Sequence, residues 1–361
     1  MKKIIAIFGG NSTEHDVSII TAIEGLNACP YGEYKVYPVY IKGDEWYSSE
    51  SMFDLKTFIN FEPKNHKKVR LIGKSLYYDK RGKWKFLDDV DCALLFTHGG
   101  EGECGALQGM LDILGVPYSS PEASSCALMM DKYLLKLLLK DLKIGVVKGM
   151  LLGDDSEESM VRVERGIGYP LFIKPNSQGS SIGVGKAENR EELKEKLAVA
   201  FAYDDKVLVE KCMDGFIEYN CAVVRSGETI MVSEVERPVT AGDFLSFEDK
   251  YLDFTKTACL CKREFPAKIN EDLRCEIRSI CQSVYEKLHL KGVVRFDFIY
   301  KNRLYLNEIN AIPGSLAHYL FDNLTYTDFL TLLIEEGIEK GTKKYPEYKS
   351  EILSTSGKMY K

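Results

Sequence analysis

The order of apolar and polar residues divides the first third of the chain into alternating strands and helices. The apolar run Ile4 to Phe8 predicts a buried strand, and apolar residues at positions 17, 20, 23 and 26 predict the helix that follows it. Lys35 to Ile41 predicts a second strand and completes a strand-helix-strand unit. Such units build parallel sheets, and the loops at the carboxyl ends of their strands are available to ligands.

A glycine-rich loop follows the next predicted strand, Asp91 to Thr97. It runs from His98 to Gly105, carries two glutamates, and leads into an amphipathic helix that ends before Gly115. A ligand site of an α/β sheet would lie here, although a flexible turn explains the same glycines. Residues 42–90 are polar and predict irregular structure, apart from a hairpin around Asp79 to Gly82.

The middle of the chain begins with a predicted long helix, Glu122 to Asp141, which is apolar on most sides but carries Lys132. Tyr169 to Lys174 predicts a strand, and the Gly/Ser-rich loop Asn176 to Gly185 follows it. Backbone N–H groups and hydroxyls of such a loop can bind phosphates. It is not a Walker A loop, because no Lys-Ser/Thr pair follows its glycines. Val207 to Lys211 predicts another buried strand.

Two alternating runs between Val293 and Gly314 predict a β-hairpin that turns near Asn302. The period of two places Arg295 and Asp297 on one face of the first strand, and Glu308 and Asn310 on one face of the second. If the faces coincide, they combine oxygen ligands suited to Mg²⁺ with a guanidinium suited to phosphate. A solvated face with surface ion pairs is the alternative.

Length and composition narrow the class of protein. A chain of 361 residues with 45% hydrophobic and 28% charged residues predicts two or three globular domains. The net charge of -6 and the lack of a basic stripe argue against nucleic-acid binding. The sequence shows no signal peptide and no 18-residue apolar run, so we expect no membrane segment. The ten cysteines are scattered, which indicates free thiols in a reducing cytoplasm. The pair Cys259 and Cys261 lacks a second pair at zinc spacing.

The ordered motifs together resemble the D-alanine:D-alanine ligases of the ATP-grasp superfamily, from Gly9 to about Leu333. Each motif alone is weak, but eight of them occur in the order of that family. They are Gly-Gly-Asn-Ser-Thr-Glu-His-Asp-Val-Ser at 9–18, His-Gly-Gly-Glu-Gly-Glu-Cys-Gly-Ala-Leu-Gln-Gly at 98–109, Met-Asp-Lys at 130–132, Ile-Lys-Pro with Gly-Ser-Ser-Ile-Gly-Val within 173–184, Val-Leu-Val-Glu-Lys at 207–211, Asp-Lys-Tyr at 249–251, Arg-Phe-Asp at 295–297, and Asn-Glu-Ile-Asn with Pro-Gly within 307–314.

This resemblance implies the fold and the reaction. The fold class is α/β and α+β: an ATP-grasp fold with an N-terminal parallel-sheet, Rossmann-like domain. The implied domains are residues 1–120 for substrate, 121–210 for the central ATP-grasp subdomain, and 211–361 for the C-terminal subdomain. The implied reaction joins two D-alanine molecules for peptidoglycan precursors with ATP and two Mg²⁺ or Mn²⁺ ions. A cytoplasmic homodimer that acts on D-amino acids is also implied.

The resemblance further assigns roles to individual residues. The implied nucleotide contacts are Lys132, Lys174, Ser180, Ser181, Glu210, Lys211, Met213, Glu218 and Lys250. The implied metal ligands are Asp297, Glu308 and Asn310. The implied substrate contacts are Glu14, His98 with its neighbour Glu103, Tyr251, Arg295, Gly314 and Tyr319. Among all of these, Glu14, Ser180, Tyr251, Arg295 and Gly314 are implied to take part in catalysis, and the segment Thr240 to Thr255 is implied to be the lid.

Two positions near the acceptor depart from the family pattern. Tyr319 stands where a serine usually helps to hold the acceptor carboxylate, and Ala311 where threonine or serine is usual. Tyr251 is histidine in the D-lactate-forming relatives, so its presence favours an amine acceptor. Two alternatives therefore remain: an ATP-grasp carboxylate-amine ligase with a different second substrate, and a non-catalytic ATP-binding module.

Overall fold

The structure, a computed structural model, describes residues 1–239 and 263–341. Its first sheet has seven strands. These are β1 Lys2–Gly9, β2 Tyr34–Lys42, β3 Glu45–Ser48, β4 Lys67–Ile72, β5 Ser75–Lys80, β6 Lys83–Asp89 and β7 Cys92–Leu95. The strand order is β6-β5-β4-β3-β2-β1-β7. Helix α1, His15–Ala28, connects β1 to the parallel strand β2, and β7 is also parallel to β1, which confirms the predicted unit.

The prediction of irregular structure for residues 42–90 is wrong. Strands β3 to β6 continue the sheet in antiparallel fashion, with the predicted hairpin between β5 and β6. Short helical segments lie between β3 and β4: Glu50–Phe53, α2 Lys56–Ile59 and Pro63–Asn65. All seven side chains of β6 are exposed or half-buried. Its sequence therefore lacks the apolar run that marks a buried strand.

The predicted long helix from Glu122 to Asp141 is two helices. After α3 Gly100–Glu103 and α4 Ala106–Leu114 come α5 Ala123–Met130 and α6 Lys132–Asp141. Asp131 separates α5 from α6, because its backbone is extended and its carboxylate accepts hydrogen bonds from the N–H groups of Tyr133 and Leu134. Asp131 is therefore an N-cap, and Lys132 occupies the first helical position, where it is buried.

A second sheet of four antiparallel strands forms the middle of the chain, with its own hydrophobic core. Its elements are β8 Gly149–Leu152, α7 Glu157–Gly166, β9 Leu171–Pro175, β10 Gly185–Ala187, α8 Arg190–Phe201 and β11 Val207–Lys211. The strand order is β10-β9-β11-β8, so β9 and β11, the strands that carry the predicted phosphate lysine and the charged strand end, are neighbours.

A third sheet contains the predicted hairpin. The elements are β12 Ile217–Ser226, β13 Thr229–Val232, β14 Arg237–Pro238, β15 Arg263–Glu264, α9 Glu271–Lys287, β16 Val294–Lys301, β17 Arg303–Asn310, the turn Gly314–Leu320 and α10 Tyr326–Lys340. The order β13-β12-β16-β17 makes β16 and β17 antiparallel neighbours, and β14 pairs with β15 separately. Asn302 forms the turn with a φ of 60°, which confirms the hairpin and its turn.

The first and third sheets share one continuous hydrophobic core, to which α10 contributes. Gly337 of α10 lies so close to β7 that a Cβ atom there would come 2.8 Å from the sulfur of Cys92. Each sheet occupies a consecutive stretch of sequence, and the three domain boundaries given above stay a prediction. No helix in the part of the chain that the structure describes is long and apolar enough to span a membrane.

Candidate active site

The polar residues of the hairpin share one face, because the strand register pairs Arg295 with Asn310 and Asp297 with Glu308. Arg295 donates two hydrogen bonds to Asp297, from Nε to Oδ1 at 2.7 Å and from Nη2 to Oδ2 at 2.8 Å. Asn310 Nδ2 donates to Asp297 Oδ2 at 2.9 Å. Burial opposes the charge of Arg295, but Asp297 raises the pKa of the guanidinium well above its usual value. The hairpin face is therefore a charged, organised site.

The donor set on this face fits a divalent cation that also binds phosphate. Asp297, Glu308 and Asn310 offer carboxylate and amide oxygens, which Mg²⁺ prefers. Asp297 already accepts three hydrogen bonds, yet an ionised carboxylate has about four lone-pair sites and both oxygens can accept more than once. Within residues 1–239 and 263–341, no three His, Cys, Asp or Glu side chains form a metal cage. A Mg²⁺ ion held by one or two carboxylates would complete its coordination with water and phosphate oxygens.

A cleft between the second and third sheets collects the predicted nucleotide contacts, and we call it the lysine cleft. The described members of that set line it together with the hairpin. They are Lys132, Lys174, Ser180, Ser181, Glu210, Lys211, Met213, Glu218, Arg295, Asp297 and Glu308. Lys250, also predicted here, lies outside the described residues. The cleft is thus built from segments that are more than 170 residues apart in the sequence.

The Gly/Ser-rich loop forms one side of the lysine cleft. Ser180 and Ser181 have φ angles of 52° and 58°, so two consecutive residues take a left-handed conformation that is uncommon for residues with a side chain. Lys132 Nζ donates to the backbone oxygen of Gln178 at 2.5 Å and so attaches the loop to α6. Ser180 donates to the carboxylate of Glu14. The loop therefore connects the lysine cleft with the first sheet.

A second space, which we call the glutamate cavity, adjoins the cleft. It is lined by Glu14, His98, Glu103, Glu236, Arg295, Glu308, Asn310, Gly314 and Tyr319, among others. Lys132, Ser180, Arg295 and Glu308 line both spaces. A molecule in the cleft and a molecule in the cavity would meet at Arg295. Tyr251, an implied substrate contact, lies outside the described residues. The predicted lid, Thr240 to Thr255, and the pair Cys259 and Cys261 lie outside them as well.

Glycines let two loops close around Glu14. A Cβ atom at Gly99 would come 2.6 Å from Glu14 Oε2, and a Cβ atom at Gly179 would come 2.4 Å from the same oxygen. Any larger residue at either position would collide with this carboxylate. The glycine-rich loop after β7 thus lies against Glu14, which supports its predicted place at the candidate site.

His98 and Glu103 hold the backbone of Ile312. His98 Nδ1 donates to the Ile312 carbonyl oxygen at 2.8 Å, and Glu103 Oε1 accepts from the Ile312 N–H at 3.0 Å. Burial lowers the pKa of His98 to about 4, so its ring is neutral near pH 7. Burial and nearby Glu14 raise the pKa of Glu103 to about 7. The two side chains thus clamp the peptide that leads to Gly314.

Thr21 of α1 extends this clamp to the other side of Gly314. With Nδ1 of His98 acting as the donor, Nε2 accepts the Thr21 hydroxyl hydrogen at 2.9 Å. The Thr21 hydroxyl oxygen accepts from the Ser315 N–H at 3.3 Å. Sequence reasoning missed Thr21, since a threonine inside an amphipathic helix gives no signal for such a contact.

The departure from the family pattern after Gly314 coincides with an unusual backbone. Ser315, Leu316 and Ala317 have φ angles of 47°, 50° and 51°, so three consecutive residues are left-handed. Such conformations cost free energy and persist where the surroundings fix them.

Tyr319 follows the turn, lines the glutamate cavity and lies under Arg263, whose guanidinium carbon is 4.8 Å from the ring centre. Burial raises the pKa of Tyr319 to about 12 against the lowering effect of Arg295.

Three sheets, with the lysine cleft between the second and the third, define the class: the chain has the ATP-grasp fold. The family model described as D-ala D-ala ligase N-terminus matches residues 3–121, and the one described as D-ala D-ala ligase C-terminus matches residues 138–333. The chain therefore belongs to the D-alanine–D-alanine ligase family.

Individual relatives agree with this assignment. The D-alanine–D-alanine ligase of Thermosipho melanesiensis is 36% identical over 99% of this chain and 98% of its own length. The crystal structure of the Helicobacter pylori D-alanine–D-alanine ligase has a TM-score of 0.76 at 28% identity and covers 96% of this chain and 100% of its own. The VanG D-Ala:D-Ser ligase of Enterococcus faecalis has a TM-score of 0.79 at 29% identity, over 93% of this chain and 99% of its own.

Proposed function

We propose that this enzyme uses ATP to join two D-alanine molecules into D-alanyl-D-alanine for peptidoglycan precursors. Full-length similarity to D-alanine–D-alanine ligases supports the substrate. The observation that carries the reaction is the meeting of the lysine cleft and the glutamate cavity at Arg295. Tyr319 is the observation behind the alternative of a different second substrate, but the similarity over nearly the full chain favours neither that alternative nor a non-catalytic module.

In this proposal the lysine cleft holds ATP. Lys132 and Lys174 neutralise phosphate charge, Ser180 and Ser181 cover the phosphates, and the segment from Glu210 to Met213 contacts the base. Glu218 accepts hydrogen bonds from the ribose. Asp297, Glu308 and Asn310 would hold two Mg²⁺ ions, which supply charge stabilisation to the phosphoryl group.

The glutamate cavity holds the two amino acids. Glu14 binds the ammonium group of the first D-alanine, whose carboxylate attacks the γ-phosphate to give an acyl phosphate and ADP. The amine of the second D-alanine then attacks the acyl carbon, and phosphate leaves. Arg295 and the Gly314 N–H stabilise the oxyanion of this second step. Tyr319 departs from the family pattern at the position where a serine usually helps to hold the acceptor carboxylate.

The test is a coupled assay on purified protein with MgATP and D-alanine. We expect equal amounts of phosphate and D-alanyl-D-alanine, detected by colorimetry and mass spectrometry, and no dipeptide with L-alanine. ATP binding without turnover, or phosphate release only with another amino-acid pair, would contradict the proposal. Homodimerisation and a cytoplasmic location are implied by resemblance alone and stay predictions.

The clamp around Gly314 gives a further prediction. Thr21→Val removes one hydroxyl at nearly constant volume and leaves His98 Nε2 and the Ser315 N–H without their shared partner. An unpaired buried polar group costs about 1–3 kcal/mol. We expect kcat to fall about tenfold while the KM for ATP stays within twofold, measured by steady-state kinetics.

Thr21→Ser is the matched control, because it keeps the hydroxyl and should retain most of the activity. If Thr21→Ser lost as much activity as Thr21→Val although it keeps the hydroxyl, loss of the hydrogen bonds would not explain the effect, and the clamp would have no role in turnover.

A further inference from the structure

A buried lysine that no predicted role covers lies behind the lysine cleft. Lys136 is on α6, one turn after Lys132, and only 2% of its side chain is exposed. Its ammonium group pairs with Glu210 Oε1. Lys136 does not line the cleft, whereas its partner Glu210 does. Lys136 therefore reaches the wall of the cleft by contact through Glu210.

Glu210 binds a second lysine at its other oxygen. Lys174 Nζ lies 2.6 Å from Glu210 Oε2 and donates to Asn307 Oδ1 at 3.2 Å. Strand register explains this pair: Lys174 is opposite Leu208 and Glu210 is opposite Phe172, so the two side chains are diagonal neighbours on β9 and β11. Burial favours the neutral acid, yet the two lysines hold the pKa of Glu210 below its usual value.

The charges of this group do not cancel. Burial lowers the pKa of Lys136, and the charge of Glu210 opposes that lowering. With both lysines protonated, two ammonium groups and one carboxylate leave one net positive charge, at side chains that are 2%, 4% and 7% exposed. A buried Lys174–Glu210 pair alone would be neutral, and its field at a phosphate would be weak. With Lys136 present, the carboxylate is shared between two cations and the group stays positive towards the cleft. In a buried site with little water, such a charge is poorly screened.

We propose that Lys136 is a positioning residue for nucleotide binding: it offsets the charge of Glu210 so that Lys174 presents a net positive charge to the phosphates. This inference rests on the proposed binding of ATP in the lysine cleft. The break of the predicted long helix at Asp131 makes Lys132 the first residue of α6. Lys132 and Lys136 are four residues apart in α6 and therefore lie on the same side of the helix.

The test compares nucleotides with and without phosphates. Isothermal titration calorimetry would measure the Kd values of MgATP and adenosine for the wild type and for Lys136→Met, which keeps the side-chain length without the charge. We expect the Kd of MgATP to rise about tenfold or more and that of adenosine to change less than twofold. Lys140→Met, an exposed site on the same helix, is the matched control and should bind both like the wild type.

A second variant tests the charge balance itself. Because Glu210 is also proposed to contact the base, Lys136→Met combined with Glu210→Gln is compared with Glu210→Gln alone, and the loss of Lys136 should weaken MgATP binding less in that background than in the wild type. An unchanged MgATP Kd in Lys136→Met overturns the inference, as does an equal loss for ATP and adenosine, which would show a structural defect. An equal loss of MgATP affinity in both backgrounds also overturns it. A wild-type protein that binds no ATP overturns the proposed function and this inference together.

Discussion

Replacing Arg295 by lysine is expected to lower kcat/KM for D-alanine about 100- to 1000-fold. Arg295 lines both the cleft and the cavity and holds Asp297 through two parallel hydrogen bonds. Lysine keeps the positive charge but cannot bind a carboxylate and an oxyanion with the same planar fork. Removal of one oxyanion donor costs enzymes about two to three orders of magnitude in rate. Steady-state kinetics at saturating MgATP would measure the loss.

The same experiment separates the role of the guanidinium from that of its charge. Arg295→Met removes both and should lose more activity than Arg295→Lys. The melting temperature and the MgATP Kd of each variant report whether the fold and the cleft survive. An Arg295→Lys enzyme with nearly normal kcat/KM would show that the planar donor does not take part in the reaction.

Glu308→Gln carries the second large expected effect, a loss of about three orders of magnitude in kcat. Glu308 is paired in register with Asp297 on the hairpin face and lines both spaces. Glutamine has nearly the same shape but no charge, so it binds a divalent cation weakly. The activity of the variant should also need a higher Mg²⁺ concentration for its half-maximum, which a metal titration of the assay would show.

Glu228→Gln is the matched control, because Glu228 is exposed in the turn between β12 and β13 and should tolerate the same change. The melting temperature of Glu308→Gln should stay within a few degrees of the wild type. A large drop in melting temperature, with the Mg²⁺ requirement unchanged, would assign Glu308 a structural role and remove it from the predicted metal site.

The hairpin could be predicted because its pattern is local. In a strand the side chains alternate with a period of two, so positions 295 and 297, and 308 and 310, had to share faces once the turn was placed. The cross-strand register does not follow from the turn at Asn302 alone, because a β-bulge between Asp297 and Phe298 shifts it by one residue and so brings Asp297 opposite Glu308. The sequence pattern therefore predicted which residues share a face on each strand, but gave no signal for the bulge that brings the two faces together.

Other features depend on contacts between distant segments and gave no local signal. The break at Asp131 was hidden because apolar residues continue on both sides of it. Lys136 looks like a surface residue until β11 brings Glu210 against it. Strands β3 to β6 were missed because few of their side chains are fully buried, so their sequences lack the apolar runs of β1 and β7. In each case the deciding partner lies far away in the sequence.

The clamp around Gly314 also bears on how this enzyme can exchange parts with its relatives. Thr21, His98 and Glu103 belong to the first sheet and its connections, yet they fix the backbone of the third. A recombinant chimera joined near residue 121 would inherit one half of this clamp from each parent. Its activity would depend on whether the two halves match, however well each half folds by itself. An active chimera should therefore take both contacting segments of the clamp from the same parent. Exchange of one sheet alone would separate them.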